Sequence, residues 1–82
     1  MFIDQIFDRL KTVNARSKAK HGPWKDTPDK NQFTAILSEV VEYVEAYSCK
    51  DVDGPHGEIA ELFDIMNVAM RRILVLTGEP DA

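Results

Sequence analysis

The chain has a single cysteine, Cys49, so no disulfide can form within it. Its two histidines, His21 and His56, stand far apart, and no Cys/His cluster carries the spacing of a structural zinc site. Apolar runs are short. None approaches the ~20 residues that span a bilayer, and the N-terminus lacks the basic start and apolar block of a secretory signal. The expectation is a soluble, cytoplasmic protein with no membrane contact. A basic surplus is missing too: 14 acids against 10 bases give a net charge of −4, which excludes a nucleic-acid footprint. Strand-type alternation, internal repeats and low-complexity stretches are absent, leaving an all-α reading. Length is the last shortage. Eighty-two residues make one domain, and a chain this short buries only about 60% of its unfolded surface. With disulfide and zinc gone, oligomerisation, together with a bound metal, remains as the stabilising device. A homodimer or a dimer of dimers is expected.

What is present is helical periodicity. Phe2, Ile3, Ile6, Phe7, Leu10 and Val13 recur at the spacing of one buried stripe, and Lys18, Lys20 and His21 suit a helix C-terminus before Gly22-Pro23 ends it. A polar connection runs from Trp24 to Pro28, with Thr27 as N-cap and Pro28 as first residue of the next helix. That helix carries Phe33, Ile36, Leu37, Val40, Val41, Val44 and Tyr47. After a loop from Ser48 to Gly54, Pro55 opens a third helix, with Glu58 in its first turn. Ile59, Leu62, Ile65, Met66, Ala69, Ile73 and Leu76 form its stripe, Met66 and Met70 read as core, and Gly78 and Pro80 stop it. The helices are expected at about 2–20, 28–48 and 55–77, in one domain over 1–82, bundled through homo-oligomerisation.

Two pairs of acids at i, i+3 stand out: Glu39 with Glu42, and Glu61 with Asp64. At about 100° per residue each pair shares one helix face, well away from the apolar stripe. Such pairs are common on solvated surfaces. Three features set these apart. Glu42 and Glu61 are equidistant from the middle of the connecting loop, as are Glu39 and Asp64, so an antiparallel hairpin brings all four to one level. No Lys or Arg stands at i±3 or i±4 of Glu39, Glu42 or Glu61 to offset the like-charge repulsion. Small apolar residues, Ala35, Ala46, Ala60 and Val68, flank the acids and suggest a packed groove. Oxygen ligands without His or Cys suit Mg²⁺, Mn²⁺ or Ca²⁺. A di-iron bundle would want Glu-x-x-His pairs, and neither histidine stands three residues after a glutamate. From Glu39 to Asp64 the only Lys or Arg is Lys50, so an anion would bind there only after cations.

Gly22-Pro23-Trp24, then Glu39-Val40-Val41-Glu42, then Glu61-Leu62-Phe63-Asp64 resemble, in order and interval, the motifs of the MazG-like branch of the all-α NTP pyrophosphatases. The resemblance covers roughly 22–72. Ser38 departs from it, standing where the family often has a first glutamate, and the chain has little after its third helix. The resemblance implies a Mg²⁺-dependent enzyme (Mn²⁺ as substitute) that cleaves nucleoside triphosphates to the monophosphate and pyrophosphate. The implied metal ligands are Glu39, Glu42, Glu61 and Asp64. A carboxylate not consumed by metal would take the proton of the attacking water, and Glu42 and Glu45 are both candidates. Trp24, Lys25 and Asn67 are the candidate substrate contacts: Trp24 as a base-stacking platform or a packing anchor, Lys25 with Lys18 and Lys20 as phosphate neutralisers or surface charges, Asn67 one turn beyond Asp64. Arg71 and Arg72 either reach phosphate or suit the C-terminal half of a helix. His56 and Cys49 read as loop surface and inert thiol, and Glu79 and Asp81 as lying outside any site. The rival readings are a phosphoribosyl-ATP pyrophosphohydrolase and a catalytically silent helical interaction module.

Overall fold

In the computed structural model, which describes every residue except Asp81, the chain forms three α-helices and one 3-10 turn, with no strand among the described residues. Helix α1 spans Ile3–His21, the 3-10 turn Trp24–Asp26, α2 Asp29–Ser48 and α3 Glu58–Leu76. Asp81 thus lies outside the described residues. No helix is long and apolar enough to cross a membrane among those residues.

The ends of α1 are set locally. The Phe2 N–H donates to Gln5 Oε1 at 2.7 Å, and Gly22, at φ 76°, turns the chain out of the helix while its N–H donates to the Lys18 carbonyl. A left-handed φ of this kind favours glycine. Helix α2 begins one residue later than expected. Pro28 occupies the cap position and no side chain caps the end, so Thr27 closes the 3-10 turn rather than opening α2. The larger shift is at α3, which starts at Glu58 and not at Pro55. Residues 54–57 are consumed by a turn in which the Gly57 N–H donates to the Gly54 carbonyl and Asp51 Oδ1 accepts from the Gly54 N–H at 3.0 Å. Gly57 is buried, and a Cβ there would stand 2.8 Å from the Gly54 nitrogen. This close backbone approach fixes where α3 can begin.

Helices α2 and α3 form an antiparallel hairpin, and α1 packs on α3. The hairpin is tied at its loop end, where Tyr43 Oη donates to Glu58 Oε1 at 2.8 Å and the Glu58 N–H donates to the Asp51 carbonyl. At the other end Arg72 Nη1 reaches both Asp29 Oδ1 and Gln32 Oε1. Gln32 is the most buried side chain, and its Nε2 donates to the Trp24 and Thr27 carbonyls. Arg71 pins α1 to α3: it donates to Ser17 Oγ and the Gly22 carbonyl and lies over the Trp24 ring. The buried set is correspondingly small and mixed. Leu10, Trp24, Ala46, Phe63 and Val68 share it with Gln32, Glu61, Asn67 and Arg71.

The apolar stripes mostly face outward. Phe2 at the cap of α1, Ile3 and Phe7 of α1, Phe33, Leu37, Val40, Val41, Val44 and Tyr47 of α2, and Ile59, Leu62, Ile73 and Leu76 of α3 are exposed. Met66 and Met70 are half-buried rather than core. Three helices of one chain cannot cover both faces of the hairpin, and the seam of small and polar residues, not the apolar stripe, is what α2 and α3 turn toward each other.

Candidate metal and phosphate site

The four carboxylates singled out by spacing come together in the seam. One oxygen from each of Glu39, Glu42, Glu61 and Asp64 lies within 4.8 Å of all the others. Ala46 is buried beside the cluster. Glu61 is buried, Glu39 and Asp64 are half-buried, and Glu42 opens to solvent.

Proximity and burial act on these acids in the same direction. The Glu39 carboxyl is pushed up to about 7, first by burial, then by hydrogen bonding with Glu42 and by the charges of Glu42, Asp64 and Glu61. Burial also raises Glu61, with Asp64 and Glu42 adding to it. Asp64 is raised by burial and by Glu42, against the lowering influence of Glu61, His56 and Arg9. Glu39 Oε2, Glu61 Oε2 and Asn67 Oδ1 are buried with no hydrogen-bond partner. Orphaned buried acceptors cost about 1–3 kcal/mol each. A divalent cation with its waters satisfies acceptors of this kind. The imidazole of His56 is exposed, with Nδ1 3.8 Å from Glu61 Oε1.

Two clefts meet at the cluster. The first, about 580 Å³, is lined by Arg16, Lys20 and His21 of α1, by Trp24, and by Glu39, Asp64, Asn67 and Arg71 on its floor and far wall. The second, about 550 Å³, is lined by Glu42, Glu45, Cys49, Asp51, His56, Glu61 and Asp64, and has no Lys or Arg in its wall. Both volumes fall in the range of small-molecule sites.

The other candidate residues are placed as follows. Glu45 is exposed, outside the carboxylate cluster, in the wall of the second cleft. Asn67 lies in the first cleft beside Asp64. Trp24 also borders this cleft; it is buried, with the Arg71 guanidinium 4.8 Å from its ring centroid. Lys25 is exposed, lines neither cleft, and donates from Nζ to the Pro80 carbonyl at 2.9 Å. Arg71 is held low by burial and is fully engaged with α1, while Arg72 is spent on Asp29 and Gln32. Cys49 is exposed. The structural roles of Gln32 and Arg71 had no signal in the sequence, because their partners are backbone carbonyls and side chains from other elements.

Comparison of the chain with family models, with curated proteins and with solved structures returns no match.

Proposed function

We propose that the chain is a Mg²⁺-dependent nucleoside triphosphate pyrophosphohydrolase of the MazG-like kind, working as a homo-oligomer. One observation carries this reading: four carboxylate oxygens from two helices converge within 4.8 Å, with two of the acids holding orphaned buried oxygens. The donor set is all oxygen, which suits Mg²⁺ or Mn²⁺ and not a site built for zinc. Bound there, Mg²⁺ supplies the positive charge that an anionic substrate needs, and it polarises phosphorus and lowers the pKa of a nucleophilic water.

The chain's own residues do the rest. Glu39, Glu61 and Asp64 would hold the ion from the wall of the seam. Glu42 completes the set from its solvent-facing side, and Glu45 stands one turn further along α2. Either Glu42 or Glu45 takes the proton of the attacking water. Asn67 Oδ1, buried and unpartnered, would accept a hydrogen bond from substrate. Trp24 and Lys25 enter this reading differently from the site's acids: Trp24 shapes the cleft wall through Arg71, and Lys25 holds the segment ending in Pro80.

The homo-oligomer is supported by surface area. A folded chain of 9.3 kDa is expected to expose about 5,000 Å², whereas this one exposes 5918 Å². The excess is comparable to the roughly 800 Å² that one partner contributes to a standard interface. Its radius of gyration, 13.1 Å, likewise exceeds the roughly 12 Å of a compact chain of this length. Exposed apolar side chains lie on all three helices, most of them on α2 and α3. A second copy of the chain offers the same faces, as an isologous contact requires.

Product analysis tests the activity. Incubation of dNTPs with Mg²⁺ is expected to release pyrophosphate and the monophosphate, with Glu61→Gln losing roughly a hundredfold or more in rate and Glu79→Gln unchanged. Orthophosphate as first product, or equal losses in the two variants, overturns the mechanism. A metal-binding wild type that releases nothing from any nucleotide leaves the helical interaction module as the reading.

A further inference from the structure

The carboxylate cluster sits between two clefts of opposite electrostatic character. The second cleft gathers Glu42, Glu45, Asp51 and Glu61 with no Lys or Arg. The first runs from Glu39 and Asp64 toward Arg16, Lys20 and His21 on α1. Arg16 and Lys20 are four residues apart on one helix, so they share a face. Among the described residues no hydrogen bond or ion pair occupies either head group. This sets them apart from Arg71 and Arg72, whose guanidiniums are consumed by the fold. Between the acidic and basic ends lies Asn67, 3% exposed, with its Oδ1 unpartnered. The cleft therefore has a buried, unpartnered polar group and a charge gradient along its length.

We propose that Arg16 and Lys20 form a subsite for the far end of a phosphate chain, so that the site distinguishes triphosphates from diphosphates. The inference rests on the metal site above and deepens it by giving the substrate a direction. A phosphate chain anchored through metal at the four carboxylates has two ways to extend. Toward the second cleft it meets further carboxylates. Toward the first it meets two unengaged cations, which attract a doubly charged terminal phosphate and cost no existing pairing. A diphosphate held at the metal stops short of α1 and gains nothing from them.

Calorimetric titration of the full chain in Mg²⁺ with inorganic tripolyphosphate and with pyrophosphate tests this without relying on turnover. The variants are Arg16→Gln, Lys20→Gln and their combination, with Lys11→Gln as a control that removes the same charge from α1 outside the cleft. Each cleft variant is expected to weaken tripolyphosphate roughly three- to tenfold, and the double variant more, while pyrophosphate binding changes little and Lys11→Gln changes neither. Arg16→Lys should recover most of the loss. Dichroism confirms that these exposed substitutions leave the helices intact. Equal weakening of both ligands, no weakening of either, or the same loss in Lys11→Gln overturns the subsite. The nucleotide arm separates the two readings. If the wild type hydrolyses NTPs and the double variant keeps the same KM, the subsite falls and the hydrolase stands. If tripolyphosphate selectivity follows Arg16 and Lys20 but no nucleotide is cleaved, the hydrolase falls and the subsite stands.

Discussion

Neutralising Glu39 is expected to make the metal-free protein more stable while weakening its response to metal. The Glu39 carboxyl is raised from 4.5 to about 7 by burial and by its three acidic neighbours. Below about pH 4.5 it is protonated in both the folded and unfolded states and has no effect on stability. Between 4.5 and 7 the unfolded chain releases the proton and the folded chain keeps it, so stability falls as pH rises, and the loss is complete above 7. The full difference would be about 3.4 kcal/mol at 1.36 kcal/mol per pH unit. Glu39 is only half-buried, and solvent screening reduces this to about 1–2 kcal/mol. For a chain of this size that corresponds to roughly 5–15 °C in Tm. The assay is thermal unfolding by circular dichroism at pH 5 and pH 8, with and without Mg²⁺, for wild type and Glu39→Gln. At pH 8 without metal the variant should melt above the wild type, and at pH 5 the two should converge. Saturating Mg²⁺ should reverse the order, since a ligand at a hundred times its Kd adds about 2.7 kcal/mol to the state that binds it. A Glu39→Gln protein that melts lower than wild type at pH 8 without metal would refute the reasoning. So would a wild type whose Tm ignores Mg²⁺.

Three further outcomes follow from the same structure. Titration with Mg²⁺ or Mn²⁺ should show binding that weakens at least tenfold in Glu42→Gln and in Asp64→Asn; unchanged affinity in both would dismiss the assigned ligands. Val41→Glu and Leu62→Glu, each adding charge to an outward apolar face, should shift the sedimentation of micromolar protein from oligomer toward the 9.3 kDa monomer, and a wild type that is already monomeric would remove that interface. Arg71→Ala should cost about 2–4 kcal/mol, because it breaks the bonds to Ser17 and Gly22 and uncovers Trp24, and Arg71→Lys should not restore it, lacking the planar fork; chemical denaturation reads both.

Helix content and the four-carboxylate level were legible in the sequence because both depend on local geometry. The 3.6-residue period places Glu39 beside Glu42 and Glu61 beside Asp64 on any helix, and a short loop leaves an antiparallel hairpin as the economical arrangement. Gly22 marked the end of α1 for an equally local reason, its positive φ. The start of α3 was misjudged because Pro55 is as suited to a turn as to a helix's first position. What decided the matter was the close approach of Gly57 to the Gly54 backbone, a contact between residues folded back on each other.

Which face turned inward was a tertiary decision. Periodicity shows that an apolar stripe and an acidic face exist, but not which of them a neighbour covers. In this chain α2 and α3 meet along their small and polar residues, which permits the carboxylates to converge and leaves Val41, Leu62 and their neighbours outside. The same holds for the basic residues. Nothing local distinguishes Arg16 and Lys20 from Arg71 and Arg72. The packing of α1 on α3 leaves the first pair facing a cleft with free head groups and engages Arg71, while the packing of α2 on α3 engages Arg72. Charge and period are properties of a residue and its near neighbours, whereas burial and pairing depend on elements distant in the chain, and these only the folded structure brings into contact.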